Sequence, residues 1–313
     1  MVQGTGAGGF LGVALEETSG TYVAPTKFVP IQSESLAFTQ DTTWRRPIRQ
    51  SADIVGAIEG NGRVEGDISM EAFEDVVAVM LQAARTSMTT AGTTPNFTYT
   101  FTGTPDAVPS QTMSITVVRN GQVFGYTGCV LASFVFTIDD GGLMFNPTIL
   151  GRDEATQDLP VPTWATGIQA TPYGQGQYKI SIPTSTQVYD ADSFEFTVDD
   201  GAEAQYRLRD DTNGASFVAF GERAVTLSLD RDFIDRSDYD SFRALTSQSV
   251  TLLASKGANN SIQIDIPAAI KDTYEVGLSG QGDLIRASIA YNGVLDSTGK
   301  AYTVTVKTQE TFS

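Results

Sequence analysis

Twice in this chain a strand-like alternation runs straight into a helix-like stripe, and that repetition limits the folds open to it. In the first copy Val64, Ile68 and Met70 share one face of an extended segment, with Glu65, Asp67 and Ser69 on the other. This is the period-two pattern of a half-buried strand. The period then changes: Phe73, Val76, Val77, Met80, Leu81 and Ala84 recur at the spacing of one helical face. Glu71, Glu74 and Asp75 in the first turns and Arg85 in the last suit the helix dipole. In the second copy Val225, Leu227 and Leu229 alternate with polar residues, and after an acidic turn Tyr239, Phe242 and Leu245 form a shorter stripe.

The neighbouring segments repeat in the same order. A strand over 34–40, with Leu36 and Phe38 on its buried face, precedes the first unit, and SFEFTV at 193–198 parallels SLAFTQ at 35–40. A long polar connection follows each of these strands, over 41–62 and 199–222. Connections of that length inside a compact domain are usually functional or mobile. Beyond each helix come strand pairs: 97–101, 113–118, 123–126, 130–138 and 143–150, then 250–254, 261–266, 284–291 and 302–306. Asn120-Gly121 is the strongest short hairpin signal among them. Phe38 and Phe196, Ile68 and Leu227, and Ala132 and Ala287 are each separated by roughly 155–160 residues, as an internal duplication requires. The Pro-containing stretch 151–163 is the natural boundary, giving one domain over 1–155 with an N-terminal arm and another over 156–313. Each is expected to be mainly β with one covering helix, a small sandwich or half-open barrel.

Composition removes whole classes of function. The 313 residues include no His, which excludes Ser-His-Asp and Cys-His catalysis, imidazole proton shuttles and His-based zinc sites. Cys129 is alone, so no intrachain disulfide forms, and it reads as a small buried hydrophobe. A formal charge of −17 opposes tight nucleic-acid binding, which needs clustered Lys and Arg, and suits a surface that a polyanion passes without sticking. At 41% hydrophobic content no stretch reaches the ~18 apolar residues of a membrane span, and the opening MVQGTGAGG lacks the pattern of a secretory signal. Gly4, Gly6 and Gly9 match G-x-G-x-x-G, but no strand precedes them as a dinucleotide loop demands. They read as an arm anchored by Phe10, Leu11, Val13 and Leu15. No cofactor and no metal is expected.

Several stretches resemble the tail tube proteins of long-tailed, siphovirus-type bacteriophages. They are GTGAGGFLGVALEETSGTYVAPTKFVPIQSESLAF near the start, VEGDISMEA before the helix, and above all YTGCVLASFVFTIDDGGLMFNPTILGRDEA. SFEFTVDD and the region from LTSQSVTL to AYTVTVK extend the resemblance more weakly. It implies a structural virion protein, not an enzyme, whose rings stack into a tube with an intersubunit β-barrel around a DNA channel. Two fused units per chain imply trimeric, pseudo-hexameric rings, with a hexamer as the alternative. The implied partners are further copies of itself, the tape measure protein, the tail terminator and distal tail proteins, and DNA in transit, with assembly in the host cytoplasm and no membrane.

In such a tube the polar strand faces would line the lumen: Glu65, Asp67 and Ser69, with Ser193, Glu195, Thr226, Ser228 and Asp230. The alternative places these residues on an outer solvated face. The helices would cover the outside of the barrel. Trp44, Arg45, Arg46 and Arg49 in one long connection, with Arg207 and Arg209 in the other, are candidates for ring-to-ring contact. Two other classes stand beside this reading. One is a capsid decoration or spike module of similar composition. The other is a carbohydrate-binding or hydrolytic jelly roll using Asp139-Asp140, Asp199-Asp200 or Asp210-Asp211, pairs that also suit simple turns.

Overall fold

The computed structural model describes residues 6–48, 53–139, 142–155, 157–162, 172–183, 186–208, 212–278, 280 and 282–309. The first strands are β1 (Phe10–Leu15), β2 (Lys27–Val29), β3 (Ser33–Glu34), β4 (Ala37–Arg45) and β5 (Gly56–Glu71), which leads into α1 (Glu74–Leu81). Then follow β6 (Ser87–Thr93), β7 (Asn96–Gly103), β8 (Met113–Arg119), β9 (Gln122–Asp139), β10 (Gly142–Gly151) and β11 (Asp153–Ala155). The remainder holds β12 (Tyr178–Ser181), β13 (Gln187–Val188), β14 (Ala191–Asp199), β15 (Ala202–Gln205), β16 (Phe217–Phe220), β17 (Ala224–Asp232) and α2 (Ser237–Arg243). It closes with β18 (Gln248–Ser255), β19 (Ser261–Val276), β20 (Arg286–Gly293) and β21 (Tyr302–Thr308). The molecule is mainly β, with all but β15 and β16 joined in one open sheet.

The strand order repeats. β4 pairs with β5, β5 with β10 and β10 with β9, all antiparallel. β14 pairs with β17, β17 with β20 and β20 with β19 in the same way. The two four-strand units meet edge to edge, β9 against β14. In both units the longest strand changes partners midway. The first part of β9 lies between β8 and β11, and the first part of β19 between β18 and β21. A matching detail fixes which residues correspond: the Asp67 N–H donates to Ser35 Oγ at 2.9 Å, and the Asp230 N–H to Ser193 Oγ at 3.2 Å.

Alternation explains the layers. Val64, Ile68, Met70, Phe194, Phe196, Val198, Val225, Leu227 and Leu229 are buried on one side of this sheet. Against them pack α1 and the strands that the long β9 and β19 carry round the core. Phe134 sits at the centre, its ring 6.0 Å from those of Phe136 and Tyr302, 6.1 Å from Phe145 and 6.3 Å from Phe196. Those residues come from β9, β10, β14 and β21, so one aromatic cluster ties the two units together.

Several expectations need correction. The connection over 41–62 is largely strand, a long exposed hairpin of β4 and β5. The hydrophobic run at 10–15 anchors to the core, as expected, and does so as a full strand paired with β2 and β8. Segments 123–126 and 130–138 are one continuous strand. Ala132 and Ala287 are not equivalent, because they lie in β9 and β20, which occupy different places in the repeated order. Likewise the Ser–Asp contacts match Asp67 to Asp230, which shifts the pairing of Ile68 with Leu227. The hairpin at Asn120-Gly121 forms as expected, with φ of 51° and 74° at its two central residues.

The helices differ from expectation most. Every residue of α1 is buried, including Glu74 and Asp75, so the helix is enclosed on all sides instead of along one apolar stripe, and Arg85 lies beyond its last turn. Asp75 accepts from the Thr308 hydroxyl, and Glu74 accepts from the Tyr173 hydroxyl at 2.5 Å with Lys256 Nζ at 3.7 Å. Burial and the Glu74 carboxylate push the Tyr173 hydroxyl well above its ordinary range, so it remains a donor. By contrast α2 has no buried residue, and Leu245 falls outside it at a positive φ of 49°.

Candidate functional site: a polar sheet face and its edges

Residues opposite one another in an antiparallel ladder point to the same side of the sheet, so register shows what the outer face carries. One row runs Glu71, Met144, Thr137, Glu195, Ser228, Ala290 and Thr273, crossing β5, β10, β9, β14, β17, β20 and β19. A second runs Asp67, Thr148, Ser133 and Asp199. A third joins Ser193, Asp230, Ser288 and Glu275. Hydroxyls and carboxylates dominate this face, with Met144 and Ala290 among them, and it continues from one unit into the other.

All eight strand residues singled out in the sequence stand on this face. Asp67 accepts from Thr148 Oγ1 at 2.8 Å. Ser193 Oγ donates to Asp230 Oδ2 at 2.9 Å. Ser69 lies opposite Ser33, while Glu195, Thr226 and Ser228 are exposed. Glu65 is different, because Arg63 on the same strand donates to it from Nε at 2.7 Å and Thr39 Oγ1 donates at 3.2 Å. Glu65 accordingly holds Arg63 above its ordinary pKa. Arg286 is likewise tied to Asp192 at 2.8 Å. The two guanidiniums are thus engaged by carboxylates, and the face keeps its acidic character. Glu71, Thr137, Ser288 and Glu275 also belong to it. Alternation alone could not reveal them, since only pairing register puts them in line with the others.

The basic residues divide. Trp44 and Arg45 lie on the projecting β4–β5 hairpin, Trp44 being 58% exposed, and Arg46 follows just beyond it. Ile48 and Ile54 near the hairpin end are exposed too. Arg207 instead stacks on Phe217, 5.1 Å from its ring centroid. Arg49 and Arg209 lie outside the described residues. The second long connection contains the small β15–β16 hairpin. It also braces the first, since the Gly62 N–H donates to the Asn213 carbonyl at 2.8 Å.

The edges of the sheet are open. Among the described residues β4 pairs only with β5, and β19 beyond Ala269 pairs only with β20. Both are rich in exposed residues. An unpaired row of N–H and C=O groups is a template for another strand.

Of the acidic pairs, Asp199-Asp200 takes structural places. Asp199 Oδ1 accepts from the Gly201 N–H at 2.9 Å in a turn. Asp200 is buried and accepts from Arg223 Nε at 2.5 Å; burial raises its pKa while Arg223 lowers it. Asp140, Asp210 and Asp211 lie outside the described residues. Among the described residues no three acidic or Cys side chains gather as a metal site, and no helix is long and apolar enough to cross a membrane.

No curated protein matches the chain. A family model described as phage tail tube protein matches residues 6–293, a span running from before β1 to the end of β20 and so through both four-strand units. That span is most of the chain, and the chain belongs to the phage tail tube protein family.

Proposed function

We propose that this structural tail protein self-assembles into stacked rings, building the tube of a siphovirus-type tail, and that its polar sheet face lines the channel through which DNA passes. The observation that carries the reading is a face rich in hydroxyls and carboxylates that crosses both tandem units and ends in two open edges. Joining such edges between copies removes the aggregation hazard each presents. Carboxylates on the wall repel phosphate, so the duplex slides instead of binding.

Each chain offers eight strands to such a wall, four per unit. Three copies would supply about 24 strands, and at ~4.8 Å spacing and ~40° tilt these give a wall of roughly 150 Å circumference. That leaves a lumen wide enough for a duplex. Three two-unit chains per ring, with pseudo-sixfold symmetry and each half acting as one domain, fit this arithmetic. Six chains would double the wall. The protruding β4–β5 hairpin, with Trp44, Arg45 and Arg46, is suited to docking on the acidic surface of the adjoining ring. The tape measure protein would occupy the lumen before DNA does, and the terminator and distal tail proteins would meet the tube's two ends.

Negative-stain microscopy of the concentrated protein tests the reading. Rings or tubes with a central hole are the expected result. A protein that stays monomeric at high concentration, even with its nucleating tail components, would count against it.

A further inference from the structure

We infer that the open edge of β19, over 272–277, pairs with the open edge of β4 of a second copy, in the register that β9 and β14 adopt inside one chain. The inference rests on the ring reading and adds to it the edges, their direction and their alignment.

The correspondence is built pair by pair. The Ser35–Asp67 and Ser193–Asp230 contacts equate β4 with β14 and β5 with β17. Asp67 lies opposite Thr148 and Asp230 opposite Ser288, which equates β10 with β20. Thr148 lies opposite Ser133 and Ser288 opposite Glu275, which equates β9 with β19. Within the chain Asp199 faces Ser133 and Thr197 faces Val135. Carried over, Asp41 of one copy faces Glu275 of the next, and Thr39 faces Gly277.

Among the described residues, what is covered at the internal junction is bare on the outer side of the second unit. The equivalent helices show it: α1 is wholly buried, held by Tyr173, Lys256 and Thr308 of the second unit, whereas α2 has no buried residue. At and just beyond the end of β19, Val276 and Leu278 are exposed, Leu278 by 83%. A second copy offers the matching edge, because the first unit already presents β4 as the second presents β14. The inferred register also brings two carboxylates level, and like charges directly opposite weaken a strand pair.

Cysteine cross-linking tests the alignment. Thr39→Cys with Gly277→Cys in one chain, under mild oxidation, should give a ladder of covalent dimers and trimers on a non-reducing gel, while either single substitution should not. Val135→Cys with Thr197→Cys reports the internal junction and should close within one chain. Rings by microscopy with no ladder, while that internal pair closes, would overturn the edge pairing and leave the ring reading standing. Absence of both rings and ladder would remove both. A charge cycle gives an independent readout by sedimentation: Glu275→Lys should lower the assembly concentration several-fold, and adding Asp41→Lys should raise it again. Indifference to both substitutions would contradict the register.

Discussion

Phe196 of β14 lies directly opposite Phe136 of β9, and Phe134 reaches across that same junction to the rings of Phe196 and Tyr302. The seam between the two units is therefore a continuous ladder backed by an aromatic core. Replacing Phe134, fully buried at the centre of this cluster, should cost about 3–5 kcal/mol in Phe134→Ala, the usual range for emptying such a site. Denaturant unfolding should show a single earlier transition if the units fold together. A loss below about 1 kcal/mol would mean the cluster contributes little to the seam.

Gly66 of β5 lies against the backbone of Ser35 and Leu36, the segment that leads into β4. A Cβ there would stand 2.6 Å from the Ser35 carbonyl oxygen and 2.7 Å from Leu36 Cα, both backbone atoms that cannot step aside. Gly66→Ala should destabilise by roughly 1–3 kcal/mol, as overpacking does. It should also speed hydrogen exchange in β4 more than in β8. Unchanged exchange in β4 would show that the contact relaxes freely.

Lys271 is buried and joins β19 to α2, donating to Asp238 Oδ1 at 2.6 Å and to Ser241 Oγ at 2.6 Å. Burial lowers its pKa below the ordinary 10.5, and Asp238 only partly offsets this. A lysine with a lowered folded pKa holds its proton less well in the folded state, so folding gains stability as pH rises through the folded pKa towards 10.5. Relative to Lys271→Met, the wild type should gain stability over that interval. Parallel pH curves for the two proteins would contradict the assignment.

Much of this was legible from residue order. Alternation put Glu65, Asp67 and Ser69 on one face and Val64, Ile68 and Met70 on the other, because a period of two is a property of the strand itself. The hairpin at Asn120-Gly121 was equally local. What stayed hidden depends on partners distant in sequence. Nothing in the order of α1 distinguishes a helix with one apolar stripe from one buried on all sides. Its acids, Glu74 and Asp75, read as dipole-matching surface residues until Tyr173, Lys256 and Thr308 arrive from the far half of the chain. The β4–β5 hairpin was missed because its polar, exposed residues give no core face to read. The row from Glu71 to Thr273 exists only through register.

Reversing the charge of the face should slow DNA passage without undoing the fold. Glu195 and Ser228 are the suitable pair, since both are exposed and lie opposite each other, whereas Glu65 is engaged by Arg63. Glu195→Lys with Ser228→Lys should leave tubes intact, lengthen ejection and make the delay shrink as salt rises, as phosphate contacts do. Ejection kinetics equal to wild type would place these residues away from the DNA path.

The most direct measurement is a density map of the assembled ring at side-chain resolution. The account predicts Asp67, Glu195, Ser228 and Asp230 on the inner wall of a closed barrel, with α1 and α2 behind it. A map that places these residues on the outer surface, or closes the ring without strand pairing between copies, would contradict it.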